Sequence, residues 1–210
     1  MKAYEIITEA DARTIAYGST VALAPGGHVT PLARDTLKAR RVTVVPAGPV
    51  DPSLPDDLAP VADIRRVSIG SDHTGLAMKA DLVRELRARG LAVEDVGTHT
   101  ADPVDYPDIA SAVATQVTRR EADAGIVIDG AGIGSAIAAN KVRGARAVMA
   151  TSVTLARYGR EHNGANVLTL GASLVTAAEA REIVQTFLST PMREPRYIRR
   201  LLKIRDLERR

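Results

Sequence analysis

Cysteine is absent from all 210 residues of the sequence, so disulfide bonds and thiolate metal sites are excluded. The absence of cysteine is compatible with a reducing compartment. Residues 1–13 carry acidic side chains early and lack a long apolar run, which argues against a signal peptide or a membrane span. We therefore expect a cytoplasmic protein with no membrane role. A hydrophobic fraction of 45% is enough for a buried core, and the length suits one domain plus a smaller appendage.

The net charge of +3 is unevenly distributed along the chain. Residues 193–210 contain eight Arg or Lys and three acidic residues, so the positive excess lies at the C-terminal end. Basic tails are common in nucleic-acid-binding proteins, but only Tyr197 interleaves this one and no nucleic-acid motif accompanies it. We expect no nucleic-acid partner, and a phosphorylated small molecule stays open as the ligand of the tail.

A proline-rich segment divides the sequence into two units. Residues 46–62 hold five prolines and little periodic pattern, which is typical of an extended, stiff linker. We place a small N-terminal segment at 1–45, the linker at 46–64 and the main domain at 65–210.

The N-terminal segment has the pattern of a small αβαβ unit. Thr8 with Asp11 forms a capping box that predicts a short helix, and Thr30 followed by Pro31 predicts the start of a second helix. A unit of about 45 residues is near the size below which domains rarely stand alone, so we expect it to dock on another part of the protein. Two strands are predicted from short apolar runs at 20–24 and 42–45.

Strands and helices alternate regularly in the main domain. This alternation predicts an α/β fold with a mostly parallel sheet and helices on both faces, and such sheets bind ligands at the carboxyl ends of their strands. The predicted strands are 66–70, 92–96, 125–129, 145–150 and 166–170. The predicted helices are 75–89, 107–120, 134–141, 153–161 and 176–189.

Polar and glycine residues follow these predicted strands. The backbone of a glycine turn can approach a ligand closely, and N–H groups at a helix start favour an anion, so residues 130–134 could hold a phosphate or an enolate oxygen. An ordinary strand-to-helix turn has the same pattern, so that alternative stays open. The strand ends carry Ser71-Asp72-His73, Gly97-Thr98, Asp129 with 130–134, and Thr151-Ser152.

The glycine spacing argues against a dinucleotide site. A dinucleotide fingerprint needs its third glycine three places after the second, whereas Gly134 falls two places after Gly132. The turn also follows the third strand of the domain, and the expected acid about twenty residues later has no good candidate. NAD binding is therefore disfavoured.

Four motifs occur in register over about residues 66–205. The motifs are GSDHTGLAMK (70–79), DVGTHTADPVDYPDIA (95–110), GAGIGSAIAANKVRGARA (130–147) and REHNGANVLTLG (160–171). Together they resemble ribose-5-phosphate isomerase type B, within the family that includes both subunits of galactose-6-phosphate isomerase. The resemblance implies a Rossmann-like fold and a cofactor-free, metal-independent aldose–ketose isomerase of phosphorylated sugars. It also implies a homodimer or a dimer of dimers with active sites shared across the interface.

The resemblance also implies site residues. Sugar contacts fall on Asp72, Tyr106 and Asn163, and the acid/base group for ring opening falls on His162. Phosphate contacts fall on His73 and, from the tail of the neighbouring chain, on Arg196 and Arg200. The backbone of the glycine turn would stabilise the enediolate through Gly130, Gly132, Ile133 and Gly134.

Each of these residues also has a simple structural explanation. Asp72 could cap the following helix, Tyr106 could be a packed ring, and His162 could end its helix. Arg196 and Arg200, four residues apart, could form a solvated stripe on one helix face. The joint occurrence of the motifs favours the functional interpretation.

The sequence departs from the family pattern at four positions around the expected base. Asp129 stands where the isomerases have a cysteine base, and Ala131 replaces a hydroxyl residue. Ser173 replaces an arginine, and Ser135 stands where mycobacterial-type members have a glutamate base. The aspartate and the missing arginine are similar to the A subunit of galactose-6-phosphate isomerase, which works beside a cysteine-bearing B subunit.

Asp129 therefore has two interpretations. As a catalytic group it would shuttle a proton between C1 and C2 of the open-chain sugar, while His162 and Asp72 assist ring opening. An aspartate is ionised at pH 7 whereas a thiol is mostly protonated, so its availability partly offsets its lower basicity. As a structural group it would cap the next helix.

The N-terminal segment has a resemblance of its own. Over about residues 5–45, and chiefly in VTPLARD, it is similar to a short segment of proteins encoded with bacterial microcompartments. This suggests packaging in, or attachment to, a microcompartment shell. A dimer-stabilising or regulatory appendage is the alternative.

Three classes of function follow from the sequence. The first is a sugar-phosphate isomerase, and the second is a ligand-binding partner subunit with little turnover of its own. The third is a nucleotide-binding module, which would be stabilised by NAD or ATP and not by sugar phosphates.

Overall fold

A computed structural model describes residues 3–46, 58, 60–61, 63–192 and 195–208. The chain divides into two compact units, one with the described residues of 1–57 and 194–203, and the other with those of 58–193 and 204–210. Most of the linker predicted over 46–64 lies outside the described residues, so its bounds stay predictions. None of the helices in the described ranges is both long and apolar enough to cross a membrane.

The small unit is a parallel three-stranded sheet with two helices. The capping box of Thr8 and Asp11 is confirmed, and Thr30 caps the second helix as predicted. Strand β1 was missing from the predicted αβαβ order, and β2 extends to Val29, beyond the apolar run at 20–24 from which it was predicted. The elements are β1 Ala3–Ile7, α1 Glu9–Thr14, β2 Thr20–Val29, α2 Pro31–Ala39 and β3 Thr43–Pro46, with strand order β1-β2-β3.

Both helices of this unit lie on one face of its sheet. Successive parallel crossovers are right-handed, which places α1 and α2 on the same side, where they contact each other. The register between β1 and β2 shifts between Tyr4 and Ile6, so the side-chain alternation of β1 changes there. The core on the helical face contains Ile7, Ala12, Ile15, Val21, Ala33 and Leu37.

The larger unit is the predicted α/β domain with a parallel five-stranded sheet. Its strand order is β5-β4-β6-β8-β7. The strands are β4 Arg66–Ser71, β5 Ala92–Asp95, β6 Ala124–Asp129, β7 Ala147–Met149 and β8 Val167–Gly171. The helices are α3 Leu76–Ala88, α4 Tyr106–Thr118, α5 Ile133–Ala139, α6 Val153–Asn163 and α7 Ala177–Ser189, and α8 Pro195–Leu207 is divided between the two units.

Helices cover both faces of this sheet, as the nearly continuous burial of its central strands requires. One core contains Val67, Ile69, Ile126, Ile128, Leu168 and Leu170 with α3 and α7 residues such as Leu82, Ile183 and Phe187. The other contains Val127 and Val167 with α4 and α5 residues such as Val113, Ala114 and Ala139.

Arg160 of α6 is a charged residue inside this unit. Its side chain is fully buried, and its guanidinium donates to the carbonyl oxygens of Ala165 at 2.9 Å and Val61 at 2.8 Å. Burial, together with repulsion from Arg146, lowers the pKa of Arg160 to about 10. The residue fastens the chain that precedes β4 to α6.

Candidate active site

Asp72 and Asp129 follow neighbouring strands and lie at the same edge of the sheet. Ser71 at the end of β4 pairs with Ile128 of β6, and the N–H of Asp72 donates to the Ile128 carbonyl at 3.1 Å. The chain leaves β4 toward β5 on one side, and β6 lies on the other, so the two carboxylates flank the point where the strand order reverses. Open parallel sheets bind ligands at such points.

The carboxylate of Asp129 is held by the turn that follows it. Oδ1 accepts the N–H of Ala131 at 2.8 Å and the N–H of Gly132, and Oδ2 accepts the N–H of Ser135 at 3.0 Å and its hydroxyl. Asp129 is only 4% exposed. A carboxylate offers about four acceptor positions, so all of them are occupied. Asp129 therefore organises the start of α5, which is the structural role that the sequence left open.

Gly132 gives this turn its shape. Its φ of +76° is left-handed, and a Cβ atom there would lie 2.8 Å from the carbonyl carbon of Leu170. The hydroxyl of Thr169 donates to the Gly132 carbonyl at 2.7 Å and so fixes the turn on β8. Within the described residues, three N–H groups of the turn donate to no protein atom and remain open to an anion; they belong to Gly130, Ile133 and Gly134.

The two carboxylate oxygens of Asp72 differ: one has a structural role, and the other is left for a ligand. Oδ1 accepts the N–H of Thr74 at 2.9 Å, its hydroxyl at 2.5 Å and the N–H of Gly75 at 3.2 Å, and thereby caps a short 3-10 turn before α3. Oδ2 receives no hydrogen bond from any residue that the structure describes. The predicted capping role is real, and one acceptor is left for a ligand hydroxyl.

His73 and Tyr106 lie at the same corner. Nδ1 of His73 accepts the N–H of Val104 at 3.4 Å, so the proton of the neutral ring belongs on Nε2. The ring of Tyr106, the first residue of α4, lies against the glycine turn, where a Cβ built on Gly134 would be 2.5 Å from its Cζ. Tyr106 is 39% exposed and can face a ligand over that turn.

Lys79 stabilises the chain next to Asp72 through hydrogen bonds from its buried side chain, and it was not recognised as a site residue from the sequence. Its side chain is 2% exposed, and its ammonium donates to Asp95 Oδ1 and to the Thr98 carbonyl, both at 2.6 Å. The N–H of Thr98 donates in turn to the Ser71 carbonyl at 2.6 Å, next to Asp72. The signal was present, because Lys79 stands on the buried face of α3, three and seven residues before the apolar positions 82 and 86.

His162 and Asn163 lie at the opposite edge of the sheet. They end α6, which runs antiparallel to the strands and so finishes at the strands' amino ends. The ring of His162 stacks on Tyr158 with centroids 4.6 Å apart, and Asn163 Nδ2 donates to the Tyr158 carbonyl at 3.0 Å. A strand of six residues is about 20 Å long, so one chain does not bring these residues to Asp72 and Asp129.

A cavity of about 520 Å³ lies at this amino edge. It includes Asn163, Leu207 at the end of α8 and Glu208, whose carboxylate accepts the N–H of Gly144 at 2.9 Å. The full lining is Asn140, Ala145, Arg146, Ala147, Val148, Asn163, Ala165, Ile204, Leu207 and Glu208.

The two arginines that were predicted to bind phosphate belong to α8. Arg200 is exposed on α8, with its guanidinium carbon 5.8 Å from the ring centroid of Tyr197, whereas the side chain of Arg196 lies outside the described residues. Ser173 binds the glycine turn, since its N–H and hydroxyl both donate to the Gly130 carbonyl. No group of three or more His, Asp or Glu side chains among the residues described could hold a metal ion.

Residues 67–204, more than half of the chain, match the sequence model of a family described as Ribose/Galactose Isomerase. Ribose-5-phosphate isomerase B of Escherichia coli (strain K12) is 38% identical over 147 residues, which are 70% of this chain and 99% of that protein. The match of the family begins at residue 67, so the resemblance of the N-terminal segment to microcompartment proteins stays a prediction.

Two solved structures show the same fold over the larger unit. Ribose-5-phosphate isomerase B of Clostridium thermocellum is 44% identical with a TM-score of 0.68, over 69% of this chain and 97% of that one. The enzyme of Mycoplasma genitalium, solved with bound ribulose-5-phosphate, is 39% identical with a TM-score of 0.67, over 69% of this chain and 96% of that one.

Proposed function

The chain belongs to the ribose/galactose isomerase family, and we propose that it is a sugar-phosphate aldose–ketose isomerase whose active site is completed by a second copy of the chain. The observation that carries this proposal is the division of its polar residues between two edges of one sheet. Asp72, His73 and Tyr106 meet the glycine turn at the carboxyl edge, while His162 and Asn163 lie at the amino edge. A two-fold dimer would bring the second group of one copy to the first group of the other.

Ribose 5-phosphate and ribulose 5-phosphate are the first substrates to test, because the relatives are ribose-5-phosphate isomerases and one was solved with the ketose. The phosphate would bind to Nε2–H of His73 and to Arg196 and Arg200 of the second copy. A dianion held by an imidazole and two guanidinium groups forms charge-assisted hydrogen bonds, which are stronger than neutral ones.

The chemistry moves one proton between two carbons. After ring opening assisted by His162 and Asp72, a base removes the C2 proton of the aldose, and the carbonyl oxygen on C1 gains a proton. The open N–H groups of the glycine turn stabilise the enediolate, which exists before the C1 oxygen is protonated to give the enediol. The base then returns the proton to C1 while the C2 hydroxyl loses its own proton, which gives the ketose without net gain or loss of atoms.

Asp129 is the proposed base, and Ser135 controls its availability. All four acceptor positions of the carboxylate are occupied, and three of the donors are backbone N–H groups fixed by the turn. The fourth donor is the Ser135 hydroxyl, which can turn away by rotation about a single bond. That rotation would free Oδ2 to take the carbon-bound proton.

Turnover by Asp129→Asn and Ser135→Ala tests this assignment. A base contributes about 10²- to 10⁴-fold, so Asp129→Asn should lose at least about 100-fold in kcat on ribose 5-phosphate. Ser135→Ala keeps the backbone N–H and should retain activity. Equal turnover by the wild type and Asp129→Asn would remove Asp129 from the proton transfer.

The occupied carboxylate of Asp129 also favours a second candidate, a ligand-binding partner subunit. This candidate predicts that the purified protein binds a sugar phosphate in calorimetry but isomerises no pentose, tetrose or hexose phosphate. Turnover would then appear on mixing with a cysteine-bearing homologue, or in Asp129→Cys. Turnover by the pure wild type would rule this candidate out.

For the location, we propose the cytoplasm and, because of the VTPLARD resemblance, the interior or shell of a bacterial microcompartment. A pull-down with shell proteins tests this. Equal recovery of the full chain and of a variant lacking residues 1–60 would dismiss it.

A further inference from the structure

Three buried apolar residues of the small unit belong to none of the hydrophobic cores formed by the described residues. Ala22 is 5% exposed, Tyr197 is 4% exposed and Leu201 is 1% exposed. Ala22 is in the central strand β2, whereas Tyr197 and Leu201 are four residues apart on α8 and therefore on one helix face. Residues 194–203 group with the N-terminal segment in the same compact unit.

Ala22 points to the sheet face that α1 and α2 leave uncovered. Its neighbours Val21 and Leu23 belong to the core on the helical face, and side chains alternate along a strand. Val45, the register partner of Ala22 on β3, shares the outer face and is half-buried. The centre of the outer face is therefore covered, although neither α1 nor α2 covers it.

We propose that the first turns of α8 cover this outer face, with Tyr197 and Leu201 packed over Ala22, and that the N-terminal segment thereby positions Arg200 for phosphate binding. The part concerning Arg200 rests on the proposed function. The chain N-terminal to residue 67, which the family match does not include, then acts as a support for a binding helix.

The chemistry of the two surfaces fits this packing. Alanine at the centre of the sheet leaves a shallow surface on which an aromatic ring and a leucine can lie, and burial of their apolar surface favours this packing. Arg200 stays exposed beside the anchored Tyr197 ring. A helix fixed in this way reduces the entropy lost when the arginine closes on a phosphate.

Hydrogen exchange tests the packing independently of activity. Ala22→Arg should increase amide exchange at residues 197–203 of the full-length protein, because a buried arginine displaces the helix. Thr20→Arg is the matched control, since Thr20 is exposed on the same strand and the same face. If Ala22→Arg does not fold, Leu201→Ala removes the contact from the helix side. Unchanged protection of residues 197–203 in a folded variant would overturn the proposal.

Kinetics tests the positioning of Arg200. We expect Tyr197→Ala, Ala22→Arg and Arg200→Ala each to raise KM for ribose 5-phosphate about tenfold, with little change in kcat. Tyr197→Phe keeps the ring and should restore the wild-type KM. The double variant Ala22→Arg/Arg200→Ala should raise KM no more than Arg200→Ala alone, because both substitutions remove the same interaction with the phosphate.

The outcomes separate this proposal from the function on which it rests. A loosened helix with unchanged KM, in a protein where Arg200→Ala does raise KM, would overturn the positioning role. An unchanged KM in Arg200→Ala itself would instead overturn the proposed phosphate contact. An equal loss of activity on unphosphorylated ribose would reduce the role of Tyr197 to general stability.

Discussion

The two edges of the five-stranded sheet hold their polar residues in different ways. At the carboxyl edge, backbone N–H groups fix both carboxylates, with three of the donors on Asp129 and two on Asp72 coming from the main chain. At the amino edge, His162 is held by stacking on Tyr158, and Asn163 is exposed beside a cavity. The carboxyl edge is preorganised within one chain, while the amino edge presents side chains outward. The difference fits the proposed site shared between two copies.

Complementation between two inactive variants, one from each edge, should give the largest effect on turnover. Asp72→Asn removes a carboxyl-edge group and His162→Ala an amino-edge group, and each should lose at least about 100-fold in activity. A mixed dimer would contain one intact site, so random mixing should restore about a quarter of the wild-type activity. The measurement is turnover after the variants are unfolded together and refolded. Failure to recover activity would place both groups in a site of one chain.

Substitution of Lys79 tests the support beneath the carboxyl edge. Lys79→Met leaves the Asp95 carboxylate without its buried partner, so the free energy of unfolding should fall by about 3 kcal/mol, and kcat should fall as Asp72 shifts. Arg84→Met is the matched control, since the exposed Arg84–Asp81 pair should contribute less than about 1 kcal/mol. Urea unfolding measures both. A similar loss in the two variants would contradict the supporting role.

Alanine substitutions at two glycines with left-handed φ values compare the two edges directly. Gly132→Ala at the carboxyl edge meets the backbone at 2.8 Å, whereas Gly144→Ala at the amino edge meets only Thr118 at 3.5 Å. Both substitutions should lower the free energy of unfolding by about 1–2 kcal/mol because of the left-handed backbone. Gly132→Ala should lower it by about 1 kcal/mol more because of the close contact, and it should also lose most of its turnover. Thermal unfolding and kcat measure this. Retained kcat in Gly132→Ala would show that the shape of the turn is not needed for catalysis.

Asp123 is a structural carboxylate at the amino edge, and its substitution should have the smallest effect on the free energy of unfolding. Burial alone would raise its pKa, but hydrogen bonds from the guanidinium of Arg66 and the N–H groups of Arg65 and Arg66 lower the pKa below its usual value. A lowered folded pKa stabilises the fold above the unfolded pKa, and this stabilisation is lost as the pH falls through the folded value. Asp123→Asn should therefore cost about 1–2 kcal/mol at pH 7. The difference should shrink below about pH 4 in urea unfolding, and a constant difference would contradict the assignment.

Much of the fold was predictable because each helix and strand of the larger unit carries its own periodicity, and α6 and α7 also begin at side-chain caps. The rule that parallel sheets bind ligands at the carboxyl ends of their strands also predicted that Asp72, the glycine turn and Asp129 lie at one edge. Strand β1 was missed because AYEII mixes apolar residues with a charge and has no clear alternation. The contact of Ser135 with Asp129 spans six residues of a turn, and no local pattern indicates which donor a carboxylate will take. The separation of His162 from Asp72 follows from helix direction and could have been derived from the predicted topology.

The division of α8 between the two units has a consequence for protein synthesis. The small unit combines residues 1–57 with residues 194–203, which are synthesised after residues 58–193 of the larger unit. Domains usually fold in the order in which they emerge, but this unit lacks one of its pieces until residues 194–203 have left the ribosome. With α8 covering the outer sheet face as proposed, that face of the nascent N-terminal segment stays uncovered while the larger unit is synthesised.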